Sequence, residues 1–150
     1  GRSMDTGKYV KGLQHIGIAV SGFQETVEFL EYFGFRVIRR ESQKNGDPVA
    51  FMEQAGLVLE VYKDETAAKR TGTVEHIAMD VEDAEGFFQE LSRECGLAER
   101  GSENRDFNGG KAGIRKLEPP ACLPYWNKGI RYVTVEGPEG LKLEFCEKLK

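Results

Sequence analysis

The chain has only two histidines, His15 and His76, and both lie in strand-like stretches of similar sequence, "LQHIGIAV" and "VEHIAMDV". The two imidazoles are 61 positions apart, and a glutamate follows in each half, Glu60 in "LVLEVYK" and Glu144 in "LKLEFCEK". Imidazole and carboxylate together suit Zn, Ni, Co, Mn or Fe, with coordination positions left for water or substrate. A lone strand histidine is usually structural, but here both histidines occupy equivalent positions. The pattern therefore favours a site for one divalent metal ion.

The two histidine stretches begin two copies of one longer pattern. Each is followed by a helix signal, "FQETVEFLEYFG" in the first copy and "AEGFFQELSRECG" in the second. Each helix is expected to end at a glycine, Gly34 and Gly96, which are 62 positions apart. Ser21 with Gln24 has the form of a capping box, and Asp83 is well placed at the second helix N-terminus. The spacing thus predicts a repeated strand–helix unit.

Strand patterns complete each copy. The first copy continues with "FRVIRRE", "PVAFMEQ" and "GLVLEVYK", and the second with "LAERGS", a long irregular segment, "IRYVTVE" and "LKLEFCEK". Each half reads βαβββ, which predicts an α+β fold of two modules, 13–66 and 73–149, within one domain at 13–150. The second half has gained 23 residues, which we place within 103–128. Residues 1–12 are interpreted as a cloning scar and an N-terminal tail.

Period-two alternation assigns the faces of four strands. Their apolar positions are expected to be covered by the helices, which leaves His15, Glu60, His76 and Glu144 on the uncovered faces. We therefore expect two imidazoles and two carboxylates to converge on one concave surface. The covered positions are Ile16, Ile18 and Val20; Leu57, Leu59 and Val61; Ile77, Met79 and Val81; and Leu141, Leu143 and Phe145.

Composition excludes several functional classes. The chain carries 21 Lys plus Arg against 25 Asp plus Glu, a formal charge of -4, and no basic stripe that nucleic acid would follow. No apolar run approaches the ~20 residues that span a bilayer, and no signal-peptide pattern is present. We therefore expect a cytoplasmic protein that acts on a small molecule and binds neither nucleic acid nor membrane.

Five motifs, in their order and register, resemble the vicinal oxygen chelate superfamily. They are "HIGIAV", "FLEYFGF", "LVLEV", "HIAMDV" and "GPEGLKLEF". That superfamily includes glyoxalase I, methylmalonyl-CoA epimerase, extradiol dioxygenases, and the fosfomycin and bleomycin resistance proteins. The resemblance covers Leu13–Leu149. It implies curved sheets that pair into a cleft with the helices outside, and a homodimer. The positions matched by His15, Glu60, His76 and Glu144 hold the metal in that family, and this four-ligand set is most similar to glyoxalase I.

The resemblance to glyoxalase I implies a metal-dependent lyase or isomerase. The metal would bind oxygens of a carbonyl substrate and stabilise the enediolate left when the neighbouring C–H loses its proton to Glu144 or Glu60. The Arg and Asn that help to hold glutathione in such enzymes are replaced here by Ala19 and Asp64. An epimerase of a coenzyme A or small carbonyl substrate therefore stays open. So do a non-catalytic antibiotic-binding protein and a fosfomycin-type transferase.

Substrate contacts are expected from the inserted segment and from the uncovered face. Tyr125 and Trp126 offer stiff aromatic surface, with Trp126 as a lid or pocket wall. Arg105 offers a charge for an anionic group, and Tyr62 shares the face of Glu60. Most other charged residues of the segment are expected to be solvated.

Overall fold

The fold is α+β, as the sequence predicts. A computed structural model describes residues 4–96 and 111–150, and only the backbone of 105–106. The described residues form helices α1 (Phe23–Tyr32) and α2 (Ala84–Glu94) and strands β1 (Ile16–Val20), β2 (Arg36–Ser42), β3 (Pro48–Gln54), β4 (Leu57–Lys63), β5 (Ile77–Asp80), β6 (Arg105–Asp106), β7 (Lys116–Leu117), β8 (Ala121–Leu123), β9 (Ile130–Glu136) and β10 (Lys142–Lys148).

The strands form two sheets with related topology. The first sheet has the order β1-β4-β3-β2, and the second has the order β5-β10-β9-β7-β6, with β8 also paired to β9. The first strand of each half pairs in parallel with a later one, β1 with β4 and β5 with β10. The register sets Gly17 opposite Glu60 and Ala78 opposite Glu144. Each histidine-bearing strand therefore lies beside the strand that carries a glutamate.

One hydrophobic core joins the two sheets. Helix α1 contributes to it along a wide face, and the ring centre of Phe33, which directly follows α1, lies 5.4 Å from that of Phe145 in the second sheet. The predicted covered faces are confirmed: five of these side chains are 5% exposed or less, and the others are partly buried against the core. The five are Val20, Leu59, Val61, Leu143 and Phe145. The sheets thus meet through their helix-bearing sides.

The helix ends agree with the sequence except at one N-terminus. Asp83 caps α2 by accepting a hydrogen bond from the Gly86 N–H at 2.9 Å. Both helices are followed by a glycine with positive φ, as predicted. The capping box at Ser21 is wrong: the N-cap of α1 is Gly22, which makes no side-chain cap bond. The Ser21 hydroxyl donates to the Glu139 carboxylate instead, at 3.2 Å, because the turn before β10 packs against the start of α1.

The inserted segment is more regular than expected. Strands β6, β7 and β8 lie in it, and β7 and β8 both pair with β9. Runs of two or three residues are too short to show alternation, so the sequence pattern missed them. The predicted strand "LAERGS" lies outside the described residues. Across the part of the chain that the structure describes, no helix is both long and apolar enough to cross a membrane.

Candidate metal centre

Each histidine lies immediately before an edge strand and faces a glutamate on the neighbouring strand. Nε2 of His15 is 3.7 Å from Oε1 of Glu60, and Nε2 of His76 is 3.3 Å from Oε2 of Glu144. We call His15 and Glu60 the first half-site, and His76 and Glu144 the second. The parallel pairing of β1 with β4 and of β5 with β10 creates both pairs in the same way.

The other ring nitrogen of each histidine is also engaged. Nδ1 of His76 is 2.9 Å from Oε1 of Glu75, and Nδ1 of His15 is 2.9 Å from Oε1 of Gln14. An ionised carboxylate only accepts hydrogen bonds, so in a neutral ring Nδ1–H of His76 donates to Glu75, and Nε2 is then the ring nitrogen left for a metal ion. Metal-binding histidines usually donate their second nitrogen to a carboxylate or carbonyl in this manner.

Glu75 is held as an anion. Lys142 Nζ lies 2.6 Å from its second oxygen. The hydrogen bonds from Lys142, and then from His76, lower the pKa of the Glu75 carboxyl. A charged acceptor is therefore fixed behind the imidazole of the second half-site.

Both half-sites are open to solvent. The side chains of His15, Glu60 and His76 are 32%, 30% and 42% exposed, whereas Glu144 is 15% exposed. A Cβ at Gly17 would lie 3.5 Å from the Glu60 carboxylate and 3.6 Å from the Tyr62 ring, so these groups share one face. An ion or a small molecule can reach these donors directly.

Within one chain, the four donors form two pairs and not a single cluster. Among the described residues, no three His, Cys, Asp or Glu side chains form a group that could hold a metal ion. The sheets meet through their helix-bearing sides, so the uncovered faces lie away from the shared core. The donor chemistry of each half-site fits a divalent metal, but each supplies two ligands where a catalytic site usually has three or more. The ligand set stays a prediction.

The predicted substrate residues lie in different places. Tyr62 is on the face of Glu60, as described above. Tyr125 and Trp126 lie between β8 and β9 and are 55% and 70% exposed. Lys148 Nζ stands 4.1 Å from the centre of the Trp126 ring. The Arg105 side chain lies outside the described residues.

Two supporting residues were missed from the sequence. Gln14 and Glu75 each directly precede a histidine, so the repeat itself offered the signal. Lys142 lies two residues before Glu144 on β10, and its contact with Glu75 depends on how β5 and β10 align. Such a contact has no signature in the local sequence.

The chain belongs to the Glyoxalase/Bleomycin resistance protein/Dioxygenase superfamily, whose family model matches residues 12–145. A search of curated proteins finds no match. This places the chain in a superfamily and assigns no particular activity.

Solved structures support the same fold. A glyoxalase family protein from Enterococcus faecalis is 21% identical, with a TM-score of 0.61 over 93% of this chain and 99% of that one. The fosfomycin resistance protein FosX from Listeria monocytogenes, complexed with Mn(II) and sulfate, is 19% identical, with a TM-score of 0.59 over 93% and 94%. The bleomycin resistance determinant of transposon Tn5 is 14% identical, with a TM-score of 0.57 over 93% and 100%. At these identities the likeness concerns the fold alone.

Proposed function

We propose that the chain is a metal-dependent lyase or isomerase of the glyoxalase I type, whose metal ion is shared between two copies. His15 and Glu60 of one copy and His76 and Glu144 of the other would hold it. The observation that carries the proposal is the pair of matching half-sites, in each of which an imidazole Nε2 faces a carboxylate. Two half-sites from two chains give the four donors that neither half-site provides alone.

Exposed apolar residues beside the half-sites support a second copy. Leu13 and Val74 are 74% and 73% exposed, and each stands two residues before a histidine. Tyr9 and Val10, close to the first half-site in sequence, are 65% and 63% exposed. Exposed large apolar side chains beside a site are a feature of protein interfaces. The Mn(II) bound by FosX supports a divalent metal in this superfamily.

The side chains have separate tasks in this proposal. The imidazole Nε2 atoms hold the ion, and Gln14 and Glu75 keep the rings in the required tautomer. When bound, the metal ion supplies Lewis-acid polarisation of the substrate oxygen. A carboxylate oxygen of Glu60 or Glu144 takes the proton from the carbon beside the carbonyl and later returns it. Single Glu→Gln variants identify the base, because only the base variant loses proton exchange while substrate binding persists.

A mixing experiment tests the shared site. His15→Ala and His76→Ala homodimers each lack every complete site, but a heterodimer of the two has one intact site. Unfolding the two variants together and refolding them should restore about a quarter of the wild-type metal content, measured by elemental analysis after gel filtration. Substoichiometric metal in the wild type that His76→Ala leaves unchanged would contradict the metal site. Failure to restore metal on mixing would contradict the sharing.

Glu65→Gln is the matched control for the carboxylate variants. Its side chain is 71% exposed and pairs with Lys63, away from both half-sites, so the variant should keep full metal content. Proton exchange followed by NMR, with hemithioacetals of glutathione and of other thiols, then tests the chemistry. Exchange with a coenzyme A thioester alone would instead indicate an epimerase.

The second candidate is a metal-dependent transferase that opens a small electrophile. The observation favouring it is that FosX, a protein of similar fold, is complexed with Mn(II). Stoichiometric metal without exchange on any carbonyl substrate would favour this reading. A wild-type protein that binds no metal would favour a small-molecule binding protein, in line with the bleomycin resistance neighbour.

A further inference from the structure

A cavity of about 310 Å³ opens beside His76, next to the second half-site. Its walls are the free edge of β1, the connection at 68–77 between the two sheets, the turn at 139–140, and the start of β10. This volume is at the lower end of the ~300–1,000 Å³ range of small-molecule sites. The space therefore suits a small metabolite or a part of a larger one.

The cavity has an apolar side. Branched residues of β1 and β5, and residues before β5 and β10, line it, and their exposed parts offer surface for a short aliphatic body. These are Ile16, Ile18, Val74, Ile77 and Leu141.

The charged groups of the cavity leave positive charge unpaired. Each of its two carboxylates has a partner, but only that of Glu75 is a cation, so the three cations of the lining, which include Lys142, exceed its two carboxylates by one charge. Glu75 bonds to Lys142, and Glu139 accepts hydrogen bonds from the backbone of Ser21 at the start of α1. Lys69 and Arg70 also line the cavity and are exposed, and neither pairs with a carboxylate among the residues that the structure describes. A local excess of positive charge on a chain of net charge -4 favours an anionic ligand.

The connection that carries these two cations is held in place. Lys69 has a left-handed backbone, with φ of 59°, which a non-glycine residue keeps only where its surroundings impose it. A Cβ at Gly140 would lie 2.8 Å from Arg70 Cα and 3.1 Å from the Lys69 carbonyl oxygen. The connection therefore packs directly against the turn before β10, which fixes where both side chains begin.

We propose that this cavity binds the anionic head group of a small substrate through Lys69 and Arg70, with the aliphatic part of that substrate against the branched residues of β1 and β5. The ligand class is a small organic anion, either a carboxylate or a phosphonate. The inference rests on the proposed function in one respect, namely that the bound molecule reacts at the adjoining metal centre. Binding itself does not depend on the metal.

The test is an NMR titration of chelator-treated protein with two anionic probes, butyrate and propylphosphonate. Butylammonium serves as the probe of reversed charge. Both anions should shift backbone amides at 16–19, 68–77 and 139–142, and butylammonium should not. Lys69→Ala/Arg70→Ala should weaken anion binding by about tenfold or more, because each lost charged donor is worth a several-fold change in affinity. The tighter of the two anions identifies the head group.

Lys44→Ala/Arg93→Ala is the matched control, because it removes the same charge at two exposed positions outside the cavity. This control should keep the wild-type anion affinity. Equal weakening in both double variants, equal binding of butylammonium, or no amide shifts with either anion would overturn the inference. The titration contains no metal, so a failure of the mixing experiment does not affect its result. If the protein binds the anions but no metal, the anion site stands and only its link to catalysis is lost.

Discussion

The two half-sites present the same pair of side chains to a metal but differ in what lies behind the imidazole. In the first, Nδ1 of His15 meets the neutral amide of Gln14. In the second, Nδ1 of His76 meets the carboxylate of Glu75, which Lys142 holds in turn. An anionic partner raises the basicity of a ligating imidazole. The repeat therefore keeps the donor atoms constant and changes the group that supports the imidazole.

The turns that precede the two glutamate-bearing strands differ even more. Ala55–Gly56 and Glu139–Gly140 have the same left-handed backbone, with φ of 51° and 86° in the first and 65° and 73° in the second. A Cβ at Gly56 would meet nothing within 4 Å, whereas one at Gly140 would meet the connection between the sheets. Glu139 also binds the start of α1. The first turn has open space beside its glycine, whereas the second packs against the connection between the sheets and against the start of α1.

The largest expected effect comes from filling the space beside the second turn. A Cβ at Gly137 would overlap the Phe29 ring of α1, so Gly137→Ala should lower the free energy of unfolding by about 3 kcal/mol. The position that corresponds to Gly137 in the first turn is Glu53, three residues before Gly56. Its side chain forms an ion pair with Arg36. Glu53→Ala should cost less than about 1 kcal/mol. Urea unfolding measures both, and equal costs would contradict the packing of α1 on this turn.

The turn glycines should show a smaller difference. Gly56→Ala has free space and should cost about 1 kcal/mol for the left-handed backbone alone. Gly140→Ala should cost about 2 kcal/mol, because the new methyl group also presses on the backbone of Arg70. Thermal unfolding of the two variants gives the comparison. A cost at Gly140 no greater than that at Gly56 would mean that the connection moves aside freely.

The last comparison concerns metal affinity, not stability, and tests the support of the imidazoles. Glu75→Gln keeps an acceptor for Nδ1 of His76 but removes its charge, so it should weaken metal binding by about tenfold. Gln14→Glu adds a charge behind His15 and should strengthen binding. Competition with a chromophoric chelator measures both affinities, with Glu65→Gln as the control. Unchanged affinity in both variants would show that a neutral amide supports the ring equally well.

Alternation and the internal repeat predicted most of the helices and strands, and the faces on which the half-site residues lie. Alternation placed Glu60 on the uncovered face of β4, and parallel pairing within one sheet then brought it to His15. The relative packing of the sheets was not predictable in this way. Ser21 and Glu139 are 118 positions apart, and their contact exists only once α1 has packed on the second sheet. The same packing decides whether the uncovered faces of one chain can converge, which alternation alone could not determine.

The pairing of β1 with β4 also sets the order in which a growing chain can fold. The first sheet can close as soon as residue 63 has left the ribosome, because all four of its strands are then available. The Phe29 ring lacks its contact with the backbone at Gly137 until that residue has been made. During the synthesis of the residues between them, the nascent protein carries an aromatic ring whose packing is incomplete. This interval is where slowed translation or a bound chaperone should most affect the yield of soluble protein.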